Sequence, residues 1–322
     1  MDTYRNLTEL PKVPSAALTI GNFDGMHRGH QAVIDRLVEY ARSQSIPSAV
    51  ITFDPHPGNV LATYSEPAYQ LIITLDRKLN MLAQCGVDMV LVLKFDQPFS
   101  QVPAEDFLSQ VMWAHFKPLR FIIGYDHHFG HRRQGDADFL RGRAEEYGYS
   151  VEVVEGVMVA GLTVSSSAIR RLLLEGRCEE AEQLLGWTYE ITGLIVRGAG
   201  RGAELQYPTA NLQPDEPLQL LPRDGVYVVS AEIDRTVAFG MGNIGVRPTF
   251  GEQKHTIEAH FFDPPRPDLY DRRITLRFHH RLRDEQRFES ALDLKKQLQQ
   301  DEKVSLNWIT DNHGGLSIDA LD

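Results

Sequence analysis

From residue 15 to about 186, short apolar runs alternate with longer stretches whose apolar residues return every three or four positions. The runs AALTI (16–20), SAVITF (48–53), DMVLVLKF (88–95), RFIIG (120–124) and YSVEVVE (149–155) predict strands. The stretches 28–45, 75–85, 103–116, 135–147 and 166–185 predict helices. Thr74 and Asp76 supply a cap and a first-turn acid for the second of these, and Gly86 closes it. Strands that are apolar throughout and alternate with helices predict a parallel sheet covered on both faces. The expected fold is α/β, a Rossmann-like doubly wound domain. Three turns, GNFDG, DPHP and GYDHHFG, each follow a strand directly. They therefore gather at the carboxyl ends of the strands, where open α/β sheets bind ligands.

The pattern changes after LGWTYE (185–190). YEITGLIVRG, GVYVVSAEI, TVAFGMGNIG, HTIEAHFFD and RRITLRFHH are strand-like and separated by Gly- and Pro-containing turns. They predict a closed antiparallel β-barrel. A terminal helix is expected over about 288–302, where Leu292, Leu294 and Leu298 lie near helical spacing. The polar end TDNHGGLSIDALD reads as a frayed tail. The expected domains are 1–186, 187–306 and a tail, 307–322.

Composition narrows the function classes. The chain has 322 residues and a net charge of −11, and neither half is basic. That argues against a nucleic-acid module while leaving room for a local phosphate pocket. Cys85 and Cys178 are the only cysteines, too few and too far apart for a disulfide framework or a Cys-rich zinc site. The N-terminus lacks the basic start and apolar core of a signal peptide, and no run is long enough to span a membrane. The expectation is a cytoplasmic protein with no membrane or nucleic-acid partner.

The stretch GNFDGMHRGHQ (21–31) follows the first strand and opens the first helix. Such a turn aims backbone N–H groups and the positive helix end at bound phosphate. Gly21, Gly25 and Gly29 allow close approach or positive φ. His27 and His30, three apart, share one face of the first turn, where they can donate to phosphate oxygens and stabilise charge during nucleotidyl transfer.

This stretch contains the HxGH signature of the nucleotidyltransferase superfamily. With TFDPHP (52–57) and VSSSAIR (164–170) it resembles the adenylyltransferase half of the bacterial bifunctional riboflavin kinase/FAD synthetases. The resemblance implies that His27 and His30 hold the ATP phosphates, with Asp24 beside them. It implies that Ser166, Ser167 and Arg170 complete the site over the leaving pyrophosphate. Read without the family, SSSAIR is a serine-capped helix start and TFDPHP a proline-stiffened turn. The family's reading makes TFDPHP a wall of the nucleotide and flavin pocket, with Asp54, His56 and Asp126 as polar contacts. One departure is DHHFG (126–130), where the family has DFxFG, so His127 stands for a Phe. Asp126, His127, His128 and His131 suit a polar, partly solvated loop better than a metal site.

In the second half, PTAN (208–211), DGVYVV (224–229), GNIGVRPTF (242–250), TIEAHFFD (256–263), DLY (268–270) and LRDEQRF (282–288) follow the order of riboflavin kinases. By that resemblance Thr209 and Asn211 bind Mg²⁺ and ATP phosphate oxygens, and Glu258 takes the proton from the ribityl 5′-hydroxyl. Hard oxygen donors suit Mg²⁺, and a carboxylate beside the nucleophile suits phosphoryl transfer. Arg283 is a candidate flavin contact; it, Arg247 and Glu285 fit a pocket or a salt-bridged scaffold equally. The family's GRxLGFPTAN becomes GAELQYPTAN: Gly202 matches, Ala203 replaces an arginine and Gln206 a glycine. Gln206 is expected to avoid glycine-only backbone angles, sending the loop along another path.

The resemblance implies an ATP- and Mg²⁺-dependent enzyme that phosphorylates riboflavin to FMN and adenylylates FMN to FAD. The altered 203–206 loop motivates the alternative of adenylyl transfer alone, with a barrel that only binds flavin. A non-catalytic flavin or nucleotide sensor is the alternative of a different class.

Overall fold

The computed structural model describes residues 1–62, 68–198, 206–249, 252–262 and 269–313. It divides into two compact units, Met1–Ala168 and Ile169–Asp322.

The first unit is a six-stranded parallel sheet: β1 (Asp2–Tyr4), β2 (Ala16–Ile20), β3 (Ser48–Asp54), β4 (Met89–Lys94), β5 (Pro118–Gly124) and β6 (Ser150–Val154). Their spatial order is β1-β4-β3-β2-β5-β6. The chain winds from β2 toward β3 and β4, then returns to the other side of β2 for β5 and β6. Its direction therefore reverses beside β2, and a crevice opens there at the carboxyl edge. Every residue of β2 is buried, as the unbroken apolar run requires of a central strand. Leu18, Ile51, Leu91 and Phe121 pack one face against Phe107, Met112 and Phe116 of the helical segment after β4.

Apart from a single turn, Gln97–Ser100, the α-helices are α1 (Arg28–Gln44), α2 (Pro57–Leu61), α3 (Leu75–Gln84), α4 (a run from Ala104 to Phe116 with a π-helical centre, Phe107–Trp113) and α5 (Ala137–Tyr147). Thr74 caps α3 by accepting from the Arg77 N–H at 3.3 Å. The predicted helix over 166–185 is two helices, α6 (Ser166–Leu174) and α7 (Cys178–Leu185), broken at Gly176. Two small features are too short to show a period and were not foreseen: edge strand β1, three residues long, and the hairpin β7 (Met158–Val159) with β8 (Leu162–Thr163).

The second unit is a closed antiparallel barrel of β9 (Glu190–Val196), β10 (Ala210–Pro214), β11 (Gly225–Ile233), β12 (Thr236–Thr249), β13 (Glu252–Phe261) and β14 (Arg273–Arg283), in the order β10-β13-β12-β11-β14-β9. Strand β10 escaped the sequence pattern because it holds only five residues, two of them Gln213 and Pro214. The terminal helix α8 runs Ala291–His313, well past the expected end at 302, so the tail read from 307 begins inside it. Its buried residues Asp301, Ser305 and Ile309 repeat every four positions, but two are polar and broke the apolar period.

Candidate active sites

In the first unit, the turn between β2 and α1 forms one wall of a pocket of about 690 Å³, within the usual ~300–1,000 Å³ of small-molecule sites. Gly21, Asp24, His27, Gly29 and His30 line it, with Ser166 and Ser167. Gly25 holds φ +93, and a Cβ on Gly29 would sit 3.2 Å from the His27 ring. The turn is stapled from several sides. Asp24 Oδ1 accepts from the Ile72 and Ile73 N–H groups at 3.0 and 3.3 Å, and Ser166 Oγ donates to the Asp24 carbonyl at 2.8 Å. The buried Asp24 carboxylate is thus engaged with backbone, a role that its sequence position did not disclose. Ser165 accepts from the Ala168 N–H at 3.2 Å, as a helix cap does.

His27 is the N-cap of α1. Its Nδ1 accepts from the His30 N–H at 3.2 Å, so the neutral ring carries its proton on Nε2. The two imidazoles stack at 3.6 Å between centroids and 14° between planes. Burial pushes His27 down to about 4; burial, then His27 and Lys78, push His30 well below the usual imidazole range. Both rings are neutral at pH 7 and each has one N–H to donate. An anion in the pocket opposes these shifts by favouring the charged form.

The other wall is aromatic. Phe53, Phe95, Phe99, Phe107 and Phe129 line it, in edge-on or tilted contacts with centroids 5.6–6.0 Å apart. Phe95 and Phe99 were not foreseen, although KFDQPF follows β4 directly and obeys the same carboxyl-end rule as the other turns. His56 lines the pocket, stacked on Tyr69 at 4.2 Å. Asp54 does not line it; its carboxylate lies 4.0 Å from Arg5.

The loop 126–131 is partly solvated. Asp126 and His128 are exposed, whereas His127 turns inward. Its Nε2 is buried without a hydrogen-bond partner among the described residues, and burial pushes it down to about 4. Arg170 follows Ser166 by four residues on α6, in the second compact unit.

A further residue of the first site carried no motif. Lys78 of α3 is 6 % exposed, yet donates to the Asn22 carbonyl at 3.0 Å and to Thr52 Oγ1 at 3.1 Å. Burial pushes it down to about 8, against the opposing pull of Asp24 and Asp54. Buried lysines are rare because desolvating the ammonium is costly.

In the barrel, strand register builds the second site. Glu258 on β13 faces Asn211 across β10 on one side and Asn243 across β12 on the other. Direct cross-strand partners project from the same face, so the three form a row. Thr209 Oγ1 donates to Glu258 Oε2 at 3.3 Å, and Asn243 Nδ2 donates to Glu285 Oε1 at 3.0 Å. A Cβ on Gly198 would lie 2.2 Å from the Asn211 amide, so the missing side chain leaves that amide its place.

Arg283 is engaged in scaffold: its Nε and Nη2 fork onto buried Asp301 of α8 at 2.7–3.0 Å. Gly202 and Ala203 lie outside the described residues, as does the Arg247 side chain. Gln206 corrects one expectation. It adopts φ +69, the left-handed region it was expected to avoid, and its Oε1 accepts from Lys295 at 2.8 Å. An L-residue enters that region at a modest cost of ~1–2 kcal/mol, less than the cost of rebuilding a loop.

Comparison with known proteins matches residues 11–168 to the FAD synthetase family model and 185–309 to the riboflavin kinase family model. The chain is 37% identical over 300 residues to a bifunctional riboflavin kinase/FMN adenylyltransferase of Escherichia coli K12, covering 92% of this chain and 93% of that one. It is 39% identical to a protein of the same description from Pseudomonas fluorescens, covering 94% and 96%. A crystal structure described as a macrolide-efflux protein from Streptococcus pneumoniae superposes with TM-score 0.85 at 30% identity, covering 95% and 98%. Among the described residues of this chain, no helix is long and apolar enough to cross a membrane.

Proposed function

The chain belongs to the bifunctional riboflavin kinase/FMN adenylyltransferase family, and on that premise we propose how its residues divide the two reactions. The enzyme transfers a phosphoryl group from ATP to riboflavin, giving FMN, and then an adenylyl group from a second ATP to FMN, giving FAD and pyrophosphate. Residues 1–186 carry adenylyl transfer; the barrel that follows carries the kinase.

In adenylyl transfer, an FMN phosphate oxygen attacks the α-phosphorus of ATP and pyrophosphate departs, with no enzyme nucleophile. His27 and His30 donate their single N–H groups to the phosphates, where negative charge builds in the transition state. Backbone N–H groups at the start of α1 act in the same direction. Ser166, Ser167 and Arg170 attend the leaving pyrophosphate. The phenylalanine wall offers an apolar surface to the flavin ring, with His56 and Asp126 at its polar edge. The observation that carries this reading is the stacked, neutral His27–His30 pair at the mouth of α1.

In the kinase site, Glu258 accepts the proton of the ribityl 5′-hydroxyl as its oxygen attacks the γ-phosphorus and ADP departs. The row of amide, hydroxyl and carboxylate oxygens, with Gly198 leaving the Asn211 amide its place, fits a hard cation. Thr209 and Asn211 would hold Mg²⁺, which when bound neutralises phosphate charge. We also take the enzyme as cytoplasmic, consistent with Cys85 and Cys178 as free thiols. The test incubates the purified protein with riboflavin, ATP and Mg²⁺ and separates the flavins over time. FMN followed by FAD is expected; FAD formation from supplied FMN without any FMN formation from riboflavin overturns the kinase assignment.

A further inference from the structure

Asn22 and Phe23 line the pocket; Lys78 does not. Lys78 therefore works from behind the wall. Its Nζ donates to the Asn22 carbonyl at 3.0 Å and to Thr52 Oγ1 at 3.1 Å, and Thr52 in turn lies 3.4 Å from the same carbonyl. Thr52 is fully buried on β3, so the ammonium ties the turn to the sheet.

The tie falls beside strained backbone. Phe23 and Met26, neither of them glycine, hold φ +49 and +38. Such conformations persist only where the surroundings over-determine them. Ser166 holds the Asp24 carbonyl, the Asp24 carboxylate is tied to the Ile72 N–H, and the Gly21 N–H is held by the Ile51 carbonyl at 3.0 Å. The Asn22 carbonyl is held by Lys78. In a trans peptide the carbonyl and the next N–H point in opposite directions. A carbonyl drawn back toward Lys78 turns the Phe23 N–H toward the pocket.

We propose that Lys78 is a positioning residue for adenylyl transfer, locking the Asn22–Phe23 peptide so that its N–H faces the bound phosphates. This rests on the reading of the His27–His30 turn as the adenylyl site. The buried ammonium is thus placed on the carbonyl of the very peptide that carries the N–H of pocket-lining Phe23.

The test uses the full-length protein, in which the barrel's FMN formation serves as an internal control. FAD formation from FMN is measured for Lys78→Met, with kcat normalised to the amplitude of the N-terminal unit's thermal transition. The expected loss in kcat is about 10- to 100-fold, the scale of a misplaced catalytic group. KM for ATP and FMN should stay within about threefold, because an interaction made only in the transition state is what is lost. FMN formation from riboflavin should be unchanged. Thr52→Val keeps the ammonium and removes its hydroxyl partner, and should lower kcat for FAD in the same sense by a smaller factor. Lys78→Met making FAD at the parent kcat overturns the proposal, as does a rise in KM at unchanged kcat. If Lys78→Met does not fold, Thr52→Val decides, and parent kcat in that variant overturns it. His30→Ala separates the two claims: FAD at the parent rate removes the site reading and this proposal together, whereas a dead His30→Ala beside a normal Lys78→Met removes only the proposal.

Discussion

In the N-terminal unit the groups that shape the site are buried in the pocket wall or behind it, whereas in the barrel they stand in a row along three neighbouring strands. Asp24, His27 and Lys78 are each less than a tenth exposed. They act by fixing backbone, capping a helix or standing neutral at pH 7. Asn211, Glu258 and Asn243 are set instead by strand register, which puts them side by side on one face of the sheet. A buried site is preorganised by its fold and couples to stability. A row on a sheet is preorganised by pairing, and a change in one side chain leaves the barrel's hydrogen-bond ladder intact.

The largest expected effects separate the two sites within one polypeptide. Glu258→Gln keeps shape and hydrogen bonding while removing the basic carboxylate. FMN formation should fall ~10²–10⁴-fold, the range of a lost general base, with FAD formation from FMN intact. His30→Ala should do the reverse, lowering FAD formation by ~10²-fold or more, as for a lost electrostatic donor. Flavin separation reads both. A variant that damages both reactions equally would break the comparison, because the sites would then share a determinant.

Acid should also tell the units apart. Burial pushes His27 and His127 down to about 4 and His30 well below the usual imidazole range, whereas in the barrel His279 is pushed to about 4. The folded state refuses protons that the unfolded chain accepts below pH 6.5. Stability is therefore lost as pH falls from about 6.5 toward 4, by roughly 3 kcal/mol for each imidazole held near 4 and in the same direction for His30. Lys78, pushed down to about 8, adds the same slope between about 8 and 10.5, where stability rises with pH. Thermal melts across pH 4–8 should show the N-terminal transition falling faster than the barrel's. Parallel slopes would mean that the imidazoles of the first site are not buried as neutral groups.

How legible each region was in the sequence follows from the same contrast. The sheet was readable because buried parallel strands are apolar throughout, and the HxGH turn because its glycines and histidines follow a strand directly and match a family signature. Lys78 was not readable: on an amphipathic helix a lysine signals solvent, and only the fold brings it under Asn22. Asp24 lines the pocket, and its sequence position gave no sign that its carboxylate also accepts from the backbone of residues 72 and 73. In the barrel, the alternation of TIEAHFFD places Glu258 on a polar face, but the partners of that face depend on β10. That strand is too short and too polar to announce itself. Arg283 was ambiguous because its partner, Asp301, lies on a helix whose buried face is partly polar.

The smallest expected effect concerns the position where the barrel departs from its relatives. Gln206 holds φ +69 and ties its amide to Lys295. Gln206→Gly relieves the left-handed strain, a gain of ~1 kcal/mol. Against this, glycine frees the unfolded chain by about 0.4–1 kcal/mol, and the lost hydrogen bond from Lys295 is exposed and worth little. These terms nearly cancel, so the melting temperature should barely move. The backbone path already matches what a glycine would choose, so FMN formation should stay within about threefold of the parent, below the ~0.6–0.7 kcal/mol that such a factor represents. A tenfold gain on restoring glycine would show that the side chain obstructs the kinase site, and the barrel would then be the weaker half of the enzyme. A tenfold loss would show that the Lys295 tie orders the loop before Thr209. The second site would then depend, like the first, on a lysine that holds a turn from outside its chemistry.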